Sequence, residues 1–377
     1  MATLIRRALL LIIVVLLALT WGEHSSDAFG QDDDAPVVTA PDTSEPGETP
    51  DADNAPPAAF AGGLSVPTGG LIAVIEIDGG IMYKNQIESI QRRTDRAIQD
   101  GADLIVYELD TPGGRIDLTL ILSPYIRTLP VPTVAWVNNQ ALSAGIMLGS
   151  ACDELIMSKG SLTGDAAPIM LGQNLAPTER AKQLSPWLAE FRANASDNYN
   201  GPTTYDYAPF HAMSELGIEV YQVRHKITGE VRLISQTDYA VMVDGQSLVD
   251  AAGIGDSGNQ SALTDPDNEL WLSKPPILVN DASQVGQWEL VKQVHNGSTL
   301  LTINEVEALD IGLSRATISS EAELMKLYGA GNVERYEETW SESLVGFLVH
   351  PMVRAALLLL GIVGVLLEYF SPGLIVP

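Results

Sequence analysis

Between residues 110 and 145 two glycine-marked turns flank one helical stretch and one strand, and this arrangement constrains the fold more than any other part of the chain. The first turn, Asp110-Thr111-Pro112-Gly113-Gly114, follows Leu104-Ile105-Val106-Tyr107-Glu108-Leu109, a run rich enough in β-branched and aromatic residues to be a buried strand. The second, Gln140-Ala141-Leu142-Ser143-Ala144-Gly145, follows the strand-like Pro132-Thr133-Val134-Ala135-Trp136-Val137. Strand and helix alternate from Leu71 onward, which predicts an α/β domain with a parallel sheet and right-handed crossovers. Two consecutive parallel strands end side by side, so both turns open on the sheet edge where open α/β sheets place their ligands.

One turn offers backbone N–H groups and the other a hydroxyl. Acyl transfer needs a nucleophile on a rigid element and N–H donors aimed at the oxyanion that forms when it attacks. Gly113 and Gly114 let the backbone turn sharply with no Cβ in the way, and Ser143 sits at the mouth of a short helix starting at Ala144. The Ala144 amide, at that helix N-terminus, is the natural second donor. Taken alone, a Gly-Gly after a strand is usually only a turn, and a serine before Ala-Gly is usually a cap. The pairing of the two motifs is what raises them above that reading.

The segment 73–168 resembles the Clp protease and crotonase superfamily, and within it the membrane-bound serine proteases called NfeD. The residues that carry the resemblance are Asp110-Thr111-Pro112-Gly113-Gly114-Arg115, Ala141-Leu142-Ser143-Ala144-Gly145 and Gly160-Ser161-Leu162-Thr163-Gly164. The resemblance implies a ClpP/crotonase-like fold, Ser143 as nucleophile, and Gly114 with Ala144 as the oxyanion hole. Gly113 and Gly145 would support the turns.

A serine hydroxyl is a poor nucleophile until something accepts its proton. A Clp-type triad places a histidine shortly after the strand Glu154-Leu155-Ile156-Met157, yet this stretch continues Thr163-Gly164-Asp165-Ala166-Ala167-Pro168. His24, His211, His225, His295 and His350 all lie elsewhere. A lysine can serve where burial leaves it neutral near pH 7. NfeD proteases use a Ser-Lys dyad, and by order along the chain the resemblance puts the lysine at Lys182, with Lys159 in reserve. On the residues alone, a lysine in such a helical stretch is usually just solvated.

The remaining organisation is read from composition. Residues 1–30 form an export signal, with Arg6 and Arg7 ahead of an apolar run at 8–21 and small residues near Gly30; an uncleaved anchor is the alternative. Residues 31–70 are acidic and Pro-rich, which predicts a disordered linker. The protease core spans 71–200 and returns at 298–335, interrupted by a mainly β insertion at 201–297 whose strands 218–223 and 231–234 read as a hairpin. Thr302 and Glu305 are spaced as a capping box before a short helix. The apolar stretch within 345–371, ending at Tyr369-Phe370, predicts a transmembrane helix, with a buried amphipathic helix as the alternative. NfeD proteins continue into further membrane helices, so the resemblance implies a truncated or split membrane domain.

With 48 acidic against 21 basic residues the formal net charge is -27, which leaves no basic stripe for nucleic acid. The single cysteine, Cys152, cannot form an internal disulfide and reads as a buried structural thiol. No metal cluster or nucleotide fingerprint implies a cofactor. The resemblance thus implies a membrane-anchored, extracytoplasmic serine endopeptidase that cleaves apolar segments of membrane-associated proteins, stomatin-like partners being favoured, as a homodimer or higher oligomer. A catalytically inactive scaffold for membrane assemblies and a crotonase-type acyl-CoA enzyme are the alternatives.

Overall fold

The computed structural model describes residues 63–168, 177–196, 205–247, 285–349 and 351–370. The expected signal peptide, residues 31–62 of the expected linker and the polar centre of the insertion lie outside the described residues.

The continuous apolar run predicted to open the fold is strand β1 (Leu71–Asp78), followed by helix α1 (Lys84–Gln99), which buries Ile87, Ile90, Thr94 and Ala97 on one face. Next come β2 (Leu104–Thr111), α2 (Ile116–Arg127), β3 (Thr133–Leu142), α3 (Ala144–Ala151), β4 (Glu154–Met157) and β5 (Leu162–Gly164). Helix α4 (Pro177–Ser196) leads to α5 (Tyr207–Ser214), β6 (Glu219–His225), β7 (Val231–Ser235), α6 (Gln236–Met242) and β8 (Trp288–Asn296). The chain then returns through β9 (Thr302–Asn304), α7 (Glu305–Asp310), α8 (Glu321–Tyr328) and β10 (Asn332–Arg335), and ends in α9 (Trp340–Val349) and α10 (Pro351–Phe370).

One sheet runs in the order β10-β1-β2-β3-β5-β9, with β4 also paired to β3. Every pairing in it is parallel except β5 with β9. Because side chains alternate across a strand, β1 splits its residues between two cores. Ala73 and Ile75 join Tyr107, Ala135 and Trp187 on one face, while Ile72 and Val74 join Val106, Trp136 and Tyr328 on the other. A sheet covered on both faces explains why its strands read as unbroken apolar runs. The insertion contributes a separate antiparallel sheet, β7-β6-β8, with the expected hairpin as β6 and β7.

Three local expectations change. The capping box before α7 is built by Asn304 and Glu307 rather than by Thr302 and Glu305, because β9 runs on to Asn304 and α7 starts at Glu305, which makes Asn304 the residue at the helix mouth. Packing begins before residue 71: Leu64 and Val66 are buried against the second core. The apolar C-terminal stretch is two helices, α9 and α10, rather than one, with Pro351 at the first position of the second, where its missing N–H costs nothing.

The N-terminal entry is held by a buried carboxylate. Glu154 accepts from the Leu64 amide at 2.6 Å, from Arg315 at 2.6 Å and from the Tyr328 hydroxyl at 3.1 Å. Its side chain has no exposed surface and that of Arg315 only 16%. Removing one partner of such a pair strands the other charge, so Arg315→Leu is expected to cost about 3 kcal/mol at neutral pH. Urea denaturation checks this, and a loss below about 0.5 kcal/mol, the range of ordinary surface substitutions, would contradict it.

Candidate active site

The first turn is set by side-chain and backbone bonds that together leave one amide free. The Gly113 N–H donates to Thr111 Oγ1 at 3.1 Å, and the Gly113 carbonyl accepts from the Ile81 N–H at 3.0 Å. The Arg115 N–H donates to the Ile81 carbonyl at 2.9 Å. This bridge uses the residues on either side of Gly114, so the Gly114 N–H points away from Ile81. A Cβ on Gly114 would stand 2.4 Å from the Ile81 carbonyl oxygen, which requires glycine there.

The second turn touches the first. A Cβ on Gly113, whose φ is +118°, would lie 2.7 Å from Ser143 Cβ and 3.1 Å from its Oγ. Parallel pairing of Thr111 with Ala141 is what sets the two turns side by side. Gly145 completes the fit, since a Cβ there would come within 2.8 Å of Thr111 Cγ2 and push α3 off β2.

Ser143 itself is half-buried, with φ 52° and ψ −112°, a conformation that L residues rarely adopt. Such backbones cost about 1–3 kcal/mol and persist only where neighbours enforce them. Here the Ser143 N–H donates to the Gly164 carbonyl at 3.0 Å, and its own carbonyl accepts from Met147 at 3.3 Å to open α3. Its hydroxyl has no hydrogen-bond partner among the described residues. Ala144, buried at the first position of α3, carries one of the helix's orphan N–H groups at the positive end of the helix dipole.

The wall of the site draws on segments far apart in sequence. Asp165 N–H donates to the Leu301 carbonyl at 3.1 Å, Ala166 N–H to Met213 at 2.6 Å and Leu301 N–H to Ala212 at 2.9 Å. Trp187 on α4 donates through Nε1 to the Ala166 carbonyl at 2.8 Å. The insertion's first helix and the returning core are therefore stitched to the strand end beside Ser143.

Ser143, Gly113, Gly114, Ala144 and Gly145 come together as expected from the motifs. Lys182 is exposed on α4, and no hydrogen bond joins its amine to the Ser143 hydroxyl. Lys159 is also exposed, on the turn after β4. The sequence pattern gave no cause to single out the buried His211, whose Nε2 lies 3.1 Å from Glu215 Oε2 and whose Nδ1 has no partner. Cys152 is buried, and burial raises its thiol pKa well above the usual value, which leaves it inert. Among the described residues no three His, Cys, Asp or Glu side chains are placed to hold a metal ion.

The fold and site define a parallel-sheet α/β domain with a strained serine at the mouth of a helix, packed against a glycine turn that presents a free amide. Residues 73–241 match the family model described as NfeD1b, N-terminal domain. The membrane protein NfeD1b of Bacillus subtilis is 25% identical over 300 residues, which are 78% of this chain and 51% of that protein. The membrane-bound protease PH1510 of Pyrococcus horikoshii is 30% identical over 103 residues, 26% of this chain and 23% of that one. The chain thus spans about half the length of the first relative and about a quarter of the second. Among solved structures, a lysine-to-alanine mutant of the 1510-N membrane-bound stomatin-specific protease in complex with a substrate peptide is similar at 15% identity and a TM-score of 0.45, covering 75% of this chain and 99% of that one. The 1510-N membrane protease specific for a stomatin homolog from Pyrococcus horikoshii gives 16% identity and a TM-score of 0.38, covering 75% of this chain and 100% of that one.

The strained backbone at Ser143 carries its own prediction. Ser143→Gly and Ser143→Ala both remove the hydroxyl, but only glycine adopts a positive φ at little cost. Ser143→Gly is expected to be about 1 kcal/mol more stable than Ser143→Ala by thermal denaturation. Equal stability of the two variants would show that the backbone is not strained.

Proposed function

We propose that the chain is a membrane-anchored serine endopeptidase whose nucleophile is Ser143. The observation that carries this reading is the contact between the two turns, which sets a free hydroxyl beside a free glycine amide. In the first half-reaction Ser143 Oγ attacks a peptide carbonyl while a base takes its proton, and the carbonyl oxygen gains negative charge held by the Gly114 and Ala144 N–H groups. The C–N bond then breaks as the base returns the proton to the leaving amine, giving an acyl-enzyme. Water attacks the ester in the second half, losing its proton to the same base.

Lys182 is the base in this reading, with the Ser-Lys dyad of NfeD proteases as its support. Its amine is exposed without substrate, so a bound peptide has to exclude water around it before it can act as a neutral base. The substrates in this reading are apolar segments of membrane-associated proteins, stomatin-like ones favoured, as the resemblance to NfeD proteases implies. Helix α10, from Met352 to Phe370, is long and apolar enough to cross a membrane, and none of it is buried within the protein. The protease domain lies on the extracytoplasmic side, following an export signal at 1–30, and the active form is a homodimer or larger. A second reading, a scaffold without activity, draws on the missing bond between Lys182 and Ser143.

A fluorophosphonate probe separates the two. Wild-type chain is expected to be labelled and Ser143→Ala not at all, while Lys182→Met slows labelling on the order of 10²–10⁴-fold, as loss of a general base does. Absence of wild-type labelling would favour the scaffold. Labelling of Lys182→Met at the wild-type rate would remove Lys182 from the mechanism.

A further inference from the structure

Met82 stands beside the glycine turn on a loop whose backbone is bonded in place. The Gly79 N–H donates to the Asp110 carbonyl at 2.9 Å, and Gln86 Oε1 accepts from the Met82 and Tyr83 N–H groups at 2.8 and 2.9 Å. Gln86 also donates through Nε2 to the Gly80 carbonyl at 3.1 Å. The backbone is thereby fixed, yet the Met82 side chain is 48% exposed.

The bridge between Ile81 and Gly114 sets where that side chain goes. Ile81 is buried, and a Cβ on Gly114 would stand 2.6 Å from Ile81 Cβ, so these two residues share a face. Met82, the next residue, falls on the opposite face and folds back along Gly80. A Cβ on Gly80 would come 3.3 Å from Met82 Cγ, 3.8 Å from its Sδ and 3.9 Å from the Gly113 carbonyl oxygen. The thioether therefore occupies the space that this glycine leaves open beside the turn, and Gly113 is in turn the residue against which Ser143 packs. Gly79, Gly80, Gly113 and Gly114 make the patch bare backbone, and Met82 gives it an apolar side chain.

The nearby cations are already engaged, Arg115 with Asp117 at 2.7 Å and Lys84 with Glu88 at 3.2 Å. An unbranched, polarizable thioether adapts to apolar side chains of several shapes. The strand order fixes which half of a substrate meets it. The β1 loop lies on one side of the β3 end that carries Ser143 and β5 on the other. Helix α4, with the proposed base, is tied to the β5 end through Trp187 and the Ala166 carbonyl. The base has to return its proton to the leaving amine, so the leaving half lies toward β5 and the acyl half toward Met82.

We infer that Met82 is a specificity-determining residue: its side chain packs against that of the substrate residue whose carbonyl Ser143 attacks, and selects an apolar one there. The inference rests on the proposed serine peptidase chemistry and names the substrate residue that the site reads.

The test uses the full chain and two peptidyl phosphonates with a common tail, one carrying leucine and the other the uncharged, similarly shaped asparagine next to phosphorus. A plain alkyl fluorophosphonate reports separately on Ser143. Wild type is expected to react with the leucine probe about tenfold or more faster than with the asparagine probe. Met82→Gln, at an exposed position, is expected to lower that ratio about fivefold or more, and Met82→Leu to keep it. A ratio between two probes is independent of how much of each variant is folded. Equal reaction of wild type with both probes, or a ratio unchanged by Met82→Gln, overturns the inference and leaves Ser143 as nucleophile where the alkyl probe labels it. Failure of every probe to label wild type removes the nucleophile and the inference with it.

Discussion

The close approach of Gly113 to Ser143 is the constraint on which the rest of the site depends. Parallel pairing of β2 with β3 brings the two strand ends together, and the absence of a side chain at residue 113 lets them touch. Any larger residue there would collide with Ser143 Cβ at 2.7 Å and part the hydroxyl from the glycine turn. From this contact follow the free Gly114 amide, fixed by its neighbours' bonds to Ile81, and the forced backbone of Ser143, which turns strand into helix in a single residue. Function here is placed where two rigid elements end, with the loops supplying geometry and the sheet supplying its tolerance.

How far the sequence alone could reach is clear from particular elements. The strands β1 to β3 were legible because a sheet buried on both faces demands unbroken apolar runs, and the α1 face was legible because Ile87, Ile90, Thr94 and Ala97 recur at helical spacing. The first turn was legible because a glycine pair after a strand has few other uses, and the second because Ser143 and Gly145 follow a strand-like run. The strain at Ser143 was not, since nothing in Ala-Leu-Ser-Ala-Gly announces a positive φ at a non-glycine residue. Nor was the wall of the site, because Asp165, Ala166, Met213 and Leu301 are joined by main-chain bonds that carry no residue signature. The capping box lies two residues later than the spacing of Thr302 and Glu305 predicts for a related reason: Thr302 and Asn304 are both good caps, and only the point where β9 ends and α7 begins decides between them.

The proposed base shows the limit most clearly. Lys182 was singled out through order along the chain and family resemblance, while its helix is held by the burial of Trp187 and Phe191 and leaves the lysine on the outer face. Periodicity can assign a residue to a helix face. Whether that face closes over a cleft depends on chain contributed from elsewhere and on the substrate itself. Helix α1 links the site to the segment that leads into α9: its N-terminal Gln86 accepts from Met82 and Tyr83 beside the glycine turn, and Arg92 holds Glu342 at the root of α9. One helix thus borders both the glycine turn and the root of α9.

The central claim is that one hydroxyl and two main-chain amides converge on a single oxygen. A crystal structure of the chain with a peptidyl phosphonate bonded to Ser143 Oγ tests this most directly. The phosphoryl oxygen is expected about 2.7–3.1 Å from both the Gly114 and Ala144 nitrogens. A phosphoryl oxygen turned to solvent, or an adduct on any other residue, would contradict the account.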